Sequence, residues 1–157
     1  NSQYIKNLEL EHLYKYAQNY WLAKGWKAPS KNWGLKLMEL LQDSLILLND
    51  IETQSEPFFI IPKITVEGKD FLGKEDVQLI LKCLYKNLDQ NNKPLDSKHA
   101  KLLMEDISKK NQIKKGLIMR SLRVALFGCL SGPDLIKSWV LFAENSMDKE
   151  RISRCLI

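Results

Sequence analysis

Apolar residues recur every three or four positions along most of the 157-residue chain, the spacing of helices that bury one face. Leu8, Leu13, Tyr16, Ala17 and Tyr20 share one such face and Gly25 closes it, which predicts a first helix over residues 8–24. After the Ala28-Pro29-Ser30 break, Leu37, Leu40, Leu41, Leu45 and Leu48 continue the period too long for a strand and predict a second helix. Between Glu56 and Lys74 the pattern stops. Pro57, Pro62, Gly68 and Gly73 punctuate short β-branched pieces there, so an extended connection is expected.

The helical period returns over residues 75–88, with Val77, Ile80, Leu81 and Leu84 facing inward, and the polar cluster of residues 89–94 ends it. Another helix is predicted to start at Asp96 or Ser97 and to bury Ala100, Leu103, Met104 and Ile107. A third, over residues 113–127, buries Ile118, Leu122, Ala125 and Leu126 and ends at Gly128. Ser131-Gly132-Pro133-Asp134 then reads as a helix start, with Ser131 as cap, Pro133 in the first turn and Asp134 reaching back. It opens a helix over residues 133–143 that buries Leu135, Trp139 and Phe142, and residues 148–156 form a last short one. The expected fold is all-α: two small helical bundles, residues 1–67 and 68–157, joined by an extended linker.

Composition fits a globular protein, with 45% apolar and 27% charged residues. The longest apolar runs, residues 44–48 and 58–61, fall far below the roughly 20 residues of a membrane span. The chain has neither an initiator Met nor a signal-peptide layout, and is expected to begin inside a longer cytoplasmic protein. Cys83, Cys129 and Cys155 are odd in number and widely spaced within apolar segments, which favours reduced core thiols over disulfides or a metal site. No Gly-rich phosphate loop, Gly-x-Ser-x-Gly string or metal-spaced His pair occurs, so neither an independent catalytic centre nor a metal is expected. For His12 and His99, surface or capping duty is preferred over a His99–Cys129 dyad.

Net charge is +5, and its distribution says more than its size. From Lys98 to Arg123 eight basic residues face two acidic ones, an excess of six, so the remainder is close to neutral. A phosphate-backbone binder and a solvated helix face both produce such a string. Arg120 and Arg123 are three apart on one helix and project together, either as a grip for phosphate or a base edge or as an ordinary surface pair. Trp21 and Trp139 read as core; Trp26 and Trp33 flank a loop and leave core packing and base stacking both open.

Two strings resemble a known family. Asn1-Ser2-Gln3-Tyr4-Ile5 is similar to the segment that leads into the first anticodon-binding bundle of bacterial and cyanobacterial glutamyl-tRNA synthetases. The run from Arg120 to Ile136 closely resembles the Arg-x-Leu-Arg-x-Ala-Leu-Thr-Gly-x-x-x-Gly-Pro-Asp-Leu string near the end of those enzymes. The resemblance covers essentially the whole chain and implies the anticodon-binding, C-terminal part of a class I aminoacyl-tRNA synthetase. Its implied partner is the tRNA anticodon stem-loop, with no membrane, no cofactor in this segment, and a monomeric state. Glutamate activation with ATP and Mg would belong to the catalytic domain of the parent. Carried over residue by residue, Arg123 would bond an anticodon base or phosphate with Arg120 beside it. Ser131, Gly132, Pro133 and Leu135 would form the surface against which bases pack, and Lys109, Lys110, Lys114 and Lys115 would hold the stem by charge. Phe127 departs from the family's Thr. Lys36, beside Gly34 and Leu35, stands where members restricted to glutamate tRNA have Arg, which implies that glutamine tRNA is charged as well. A helical protein-interaction domain that meets an acidic partner through its Lys-rich face is the alternative of a different class.

Overall fold

A computed structural model describes residues 9–157. Asn1 to Ile5 and Leu8, used in the sequence reading, lie outside these residues. The described residues are helical, with no strand among them, and they divide into a first unit that ends at Ile60 and a second that runs from Ile61 to Ile157. No helix among them is long and apolar enough to cross a membrane.

Three helices build the first unit: α1 Leu10–Lys24, α2 Lys31–Leu41 and α3 Asp50–Ser55. α1 ends as expected at Gly25, whose φ of 76° is the left-handed conformation. The Gly25 amide donates to Leu22 and the Trp26 amide to Trp21, which satisfies carbonyls of the last turn. Ser30 caps α2 by accepting from the Trp33 amide at 3.1 Å. The long second helix of the sequence reading is shorter: it stops at Leu41, followed by a 3-10 turn over Gln42–Ser44 and an extended Leu45. Polar side chains explain the break. Ser44 donates back to the Leu41 carbonyl at 2.9 Å, and the Asp50 carboxylate accepts from the Ile46 and Leu47 amides at 3.0 and 2.9 Å, so the backbone is satisfied without a helix. Leu45 is fully buried all the same. Leu13, Ala17, Trp21, Trp33, Leu37, Ile51 and Phe58 complete the core. Gly34 is glycine for packing, because a Cβ there would come within 2.3 Å of the Tyr14 ring.

The second unit holds α4 Val66–Leu72, α5 Glu75–Gln90, α6 Ser97–Asn111, α7 Lys115–Phe127, α8 Leu135–Glu144 and α9 Asp148–Ser153. Residues 61–67, expected in the first bundle, go with the second. The Arg154 guanidinium donates to the Pro62 carbonyl at 2.6 Å, and the Thr65 amide to the Gly128 carbonyl at 2.9 Å. The expected extended linker also contains a helix, α4: the Thr65 hydroxyl caps it by accepting from the Gly68 amide at 3.0 Å. Gly68 and Gly128 allow the close approach of this segment to the end of α7, since a Cβ on Gly128 would lie 2.3 Å from the Lys63 carbonyl oxygen. Asp96 is the cap of α6, accepting from the His99 amide at 2.8 Å. α7 begins at Lys115 rather than at residue 113, because Gln112 takes a left-handed φ of 53° and the Ile113 amide turns back to Ser108. Around α7 pack α4, α5, α6, α8 and α9, burying Ile118, Leu122, Val124, Ala125 and Leu126.

Candidate nucleic-acid interface

The expected site residues of the second unit are strung along α7 and the segments at its two ends. At about 1.5 Å per residue its 13 residues make a rod of about 20 Å. Before it come Lys109 and Lys110 in the last turn of α6, then Lys114 and Lys115 where α7 begins; all four are exposed. Lys110 pairs with Asp106 at 3.2 Å and Lys115 with Glu105 at 3.4 Å. Exposed pairs of this kind are worth only about 0–1 kcal/mol, so they yield readily to a phosphate. Lys109, Lys114 and the exposed Arg120 have no ion-pair partner among the described residues.

Arg123 lies further along α7, half-buried, and its Nη1 donates to the Pro133 carbonyl at 2.9 Å. This single bond joins the helix to the loop beyond it and fixes the side chain. Guanidinium offers five N–H donors, and no other hydrogen bond of Arg123 occurs among the described residues, so most of its capacity is open to a ligand. Gly132 has a φ of 149°, and a Cβ there would stand 3.0 Å from Arg123 Nη1 and 3.2 Å from the Phe127 ring. The loop thus lies bare against Arg123 with Phe127 as its floor. Phe127, the departure from the family's Thr, sets its ring edge-on against Phe142 at 5.5 Å. The sequence reading missed this support for the loop; the signal was the aromatic at that position one residue before the helix-closing glycine.

The helix start differs from expectation. Asp134, not Ser131, is the cap of α8, accepting from the Lys137 amide at 2.9 Å, and Pro133 lies outside the helix, which begins at Leu135. Asp134 can do this alone because its carboxylate already reaches the third amide of the helix. Ser131 is left exposed in the loop, its hydroxyl and carbonyl 3.5 Å from the Cys129 thiol. Leu135 is 3% exposed, so its side chain belongs to the core and cannot meet a base. Gly132 and Ser131 remain at the surface.

Lys36 belongs to the first unit, on the exposed side of α2, between half-buried Leu35 and buried Leu37. Of the tryptophans left open, Trp33 is core at 1% exposure, whereas Trp26 is half-buried. All three cysteines are free thiols. Cys155 is buried, and burial pushes its thiol up; Cys83 and Cys129 are only half-buried. His99 bonds the Asp96 carboxylate at 2.7 Å, which occupies the His of the rejected dyad. Among the described residues no three His, Cys, Asp or Glu side chains converge as a metal site would require.

With this geometry in view, comparison with known proteins gives a consistent answer. The profile described as the anticodon binding domain matches residues 12–156. The chain belongs to that family. It is 52% identical over 157 residues to a glutamate–tRNA ligase of Prochlorococcus marinus strain MIT 9301 and 51% identical over 156 residues to that of strain MIT 9215, covering 99% of this chain each time. It spans about a third of the length of those relatives, 33% in both cases. Among solved structures it is similar to a glutamate tRNA ligase from Elizabethkingia meningosepticum in complex with its amino acid, with a TM-score of 0.86 at 18% identity over 99% of this chain and 30% of that one. A glutamate-tRNA synthetase from Elizabethkingia anophelis matches with a TM-score of 0.80 at 17% identity, again over 99% and 30% of the two chains. At these identities the structural likeness speaks for the fold.

Proposed function

We propose that this chain is the anticodon-reading part of a glutamate–tRNA ligase, with tRNA as its partner. The observation that carries this reading is the Arg123–Pro133 hydrogen bond at the bare Gly132 loop, at one end of a helix whose other end is lined by lysines. The two ends suit two tasks. Lys109, Lys110, Lys114 and Lys115 neutralise backbone phosphate, which gives affinity that falls steeply with salt and carries no sequence information. Arg123, held in place by Pro133, presents planar donors to the edge of an unpaired base, and Gly132 lets that base come close. Arg120, one helical turn earlier, extends the same face. Ligation itself, attachment of glutamate to tRNA with ATP and Mg, belongs in this reading to the catalytic part of the parent ligase, in the cytoplasm.

Lys36 adds a question of specificity. An ammonium is a point donor without the bidentate fork of Arg, so it discriminates less between base edges. We propose on this ground that the parent ligase also charges glutamine tRNA; strict rejection of that tRNA by the whole enzyme would contradict it. The reading as a whole is tested by titrating the chain with a glutamate anticodon stem-loop and with one whose loop is scrambled, at several salt concentrations. A preference for the cognate loop is expected. Equal affinity for both loops would favour the protein-interaction alternative.

A further inference from the structure

The charges of the first unit are segregated along the chain. No carboxylate occurs between Glu11 and Glu39, a stretch that contains Lys15, Lys24, Lys27, Lys31 and Lys36. Glu39, Asp43, Asp50, Glu52 and Glu56 then follow with no Lys or Arg before Lys63. Lys31 is engaged by Glu11 at 3.0 Å, whereas Lys15, Lys24 and Lys27 are exposed without an ion-pair partner among the described residues. The unit as a whole is nearly neutral, so this separation is invisible in its net charge.

One of these lysines, Lys24, stands beside an aromatic ring, and another, Lys27, follows Trp26 directly in the chain. The backbone turn at Gly25 fixes Trp26 through its amide, bonded to the Trp21 carbonyl at 2.8 Å. One face of the indole stacks on Phe59 at 5.3 Å with an interplanar angle of 16°, and Tyr20 meets it edge-on at 5.7 Å. Lys24 Nζ lies 5.7 Å from the centre of the Tyr20 ring. Trp21, Trp33 and Trp139 are buried; Trp26, Tyr20 and Phe59 all keep part of their surface. The Trp21 indole N–H is satisfied by Ser55 at 3.0 Å, but that of Trp26 has no partner among the described residues, nor has the Tyr20 hydroxyl. These open donors and the exposed ammonium groups of Lys24 and Lys27 are all accessible to a ligand.

We propose that the corner formed by Tyr20, Lys24, Trp26 and Lys27 is a second RNA contact, in which the lysines meet phosphate and the fixed aromatic rings receive an unpaired base. Stacking on aromatic faces with cations on the adjoining backbone is how unpaired nucleotides are held without base readout. An acidic polypeptide would satisfy the lysines but would make no use of the rings. Because the backbone already fixes Trp26, little conformational freedom is lost when a base arrives. This proposal rests on the RNA-binding reading of the chain and adds a surface to it.

The test uses the 157-residue chain with a full-length glutamate tRNA transcript, and polyglutamate as the competing acidic polymer. Since the other three tryptophans are buried, quenching of tryptophan fluorescence on RNA binding reports Trp26. The Lys24→Ala/Lys27→Ala double variant should weaken binding about five- to tenfold near physiological salt and reduce the log–log salt slope by about 1.5 to 2. Trp26→Phe should remove the quench and weaken binding about twofold, against about tenfold for Trp26→Ala. An unaltered slope in the double variant, or a quench that survives Trp26→Phe, overturns the proposal. So does polyglutamate binding as tightly as RNA with the same lysine dependence. If RNA binding depends on Arg123 but not on these four residues, the proposal falls while the reading of the second unit stands; if the wild-type chain binds no RNA, both fall.

Discussion

The first unit fills its interior with aromatic rings and satisfies them with neutral groups, whereas the second unit buries a cation. In the first, Trp21 sits against Trp33 and Phe59, at centroid distances of 6.4 and 4.9 Å, and its indole donates to Ser55. In the second, Arg151 is fully buried, lies 4.3 Å from the centre of the Phe142 ring, and donates to the Leu126 carbonyl at 2.8 Å. Its Nε and Nη2 find no partner, and burial lowers its pKa to about 10. Arg154 beside it reaches Ala125 and Pro62. Both arginines therefore converge on the last carbonyls of α7, where positive charge complements the helix dipole and the loop to Gly132 departs. The contrast teaches that rings suffice where a small helical unit needs only volume. Where the end of α7, the segment at Pro62 and α9 meet, long arginine side chains fill the corner and at the same time bond its carbonyls.

Trp21→Ala should break the first unit most severely, by about 4 kcal/mol, since it opens a large cavity and leaves Ser55 without its donor. Denaturant unfolding of the variant checks this. Arg151 sharpens the contrast, because truncation and charge removal separate. Arg151→Ala should cost the second unit about 3 kcal/mol through a cavity and an unpaired carbonyl, while Arg151→Met, which fills the volume without a buried charge, should stay within about 1 kcal/mol of wild type. Equal losses in the two variants would mean that the charge itself, not the filled space, holds the corner. A smaller effect of about 1 kcal/mol is expected for Thr65→Ala, which removes the cap of α4, and thermal melts should resolve it.

The smallest expected effect is on pH dependence. The Asp96 carboxyl is held below its ordinary value first by the His99 amide and then by the His99 ring. Its folded pKa is below its unfolded one, so this contribution is present at neutral pH. It is lost as pH falls below about 4 and through the folded value. Asp96→Asn should lower stability slightly at pH 7 and match wild type below that window, which flattens the acid limb of the stability curve.

Much of the fold was legible because burial of one face imposes a period that the chain obeys. The helices from α5 onward, the closing glycines Gly25 and Gly128, and the core roles of Trp21 and Trp139 follow from spacing alone. The errors cluster where side chains compete for the backbone. Ser44 and Asp50 end α2 early, Thr65 starts a helix inside the proline- and glycine-rich stretch, and Asp134 displaces Ser131 as a cap. Periodicity cannot register these, because each depends on which oxygen reaches an amide. At the candidate interface the residue types were legible, and the helical period already placed Leu135 in the core against the base-packing role implied by resemblance, but only coordinates tell that Arg123 bonds Pro133. The segregated charge of the first unit was readable in the string, but was hidden by counting net charge over the whole remainder.

The central claim is that Arg123, steadied by Pro133, reads a base, while the lysines at the other end of α7 only hold phosphate. Its most direct test measures cognate and scrambled anticodon stem-loop affinities for wild type, Arg123→Ala and Lys109→Ala/Lys114→Ala across a salt series. Arg123→Ala should lose about 1–3 kcal/mol of loop preference, and the lysine variant should weaken both RNAs alike with a shallower salt slope. Preservation of the full loop preference in Arg123→Ala, with only a uniform loss of affinity, would contradict the account.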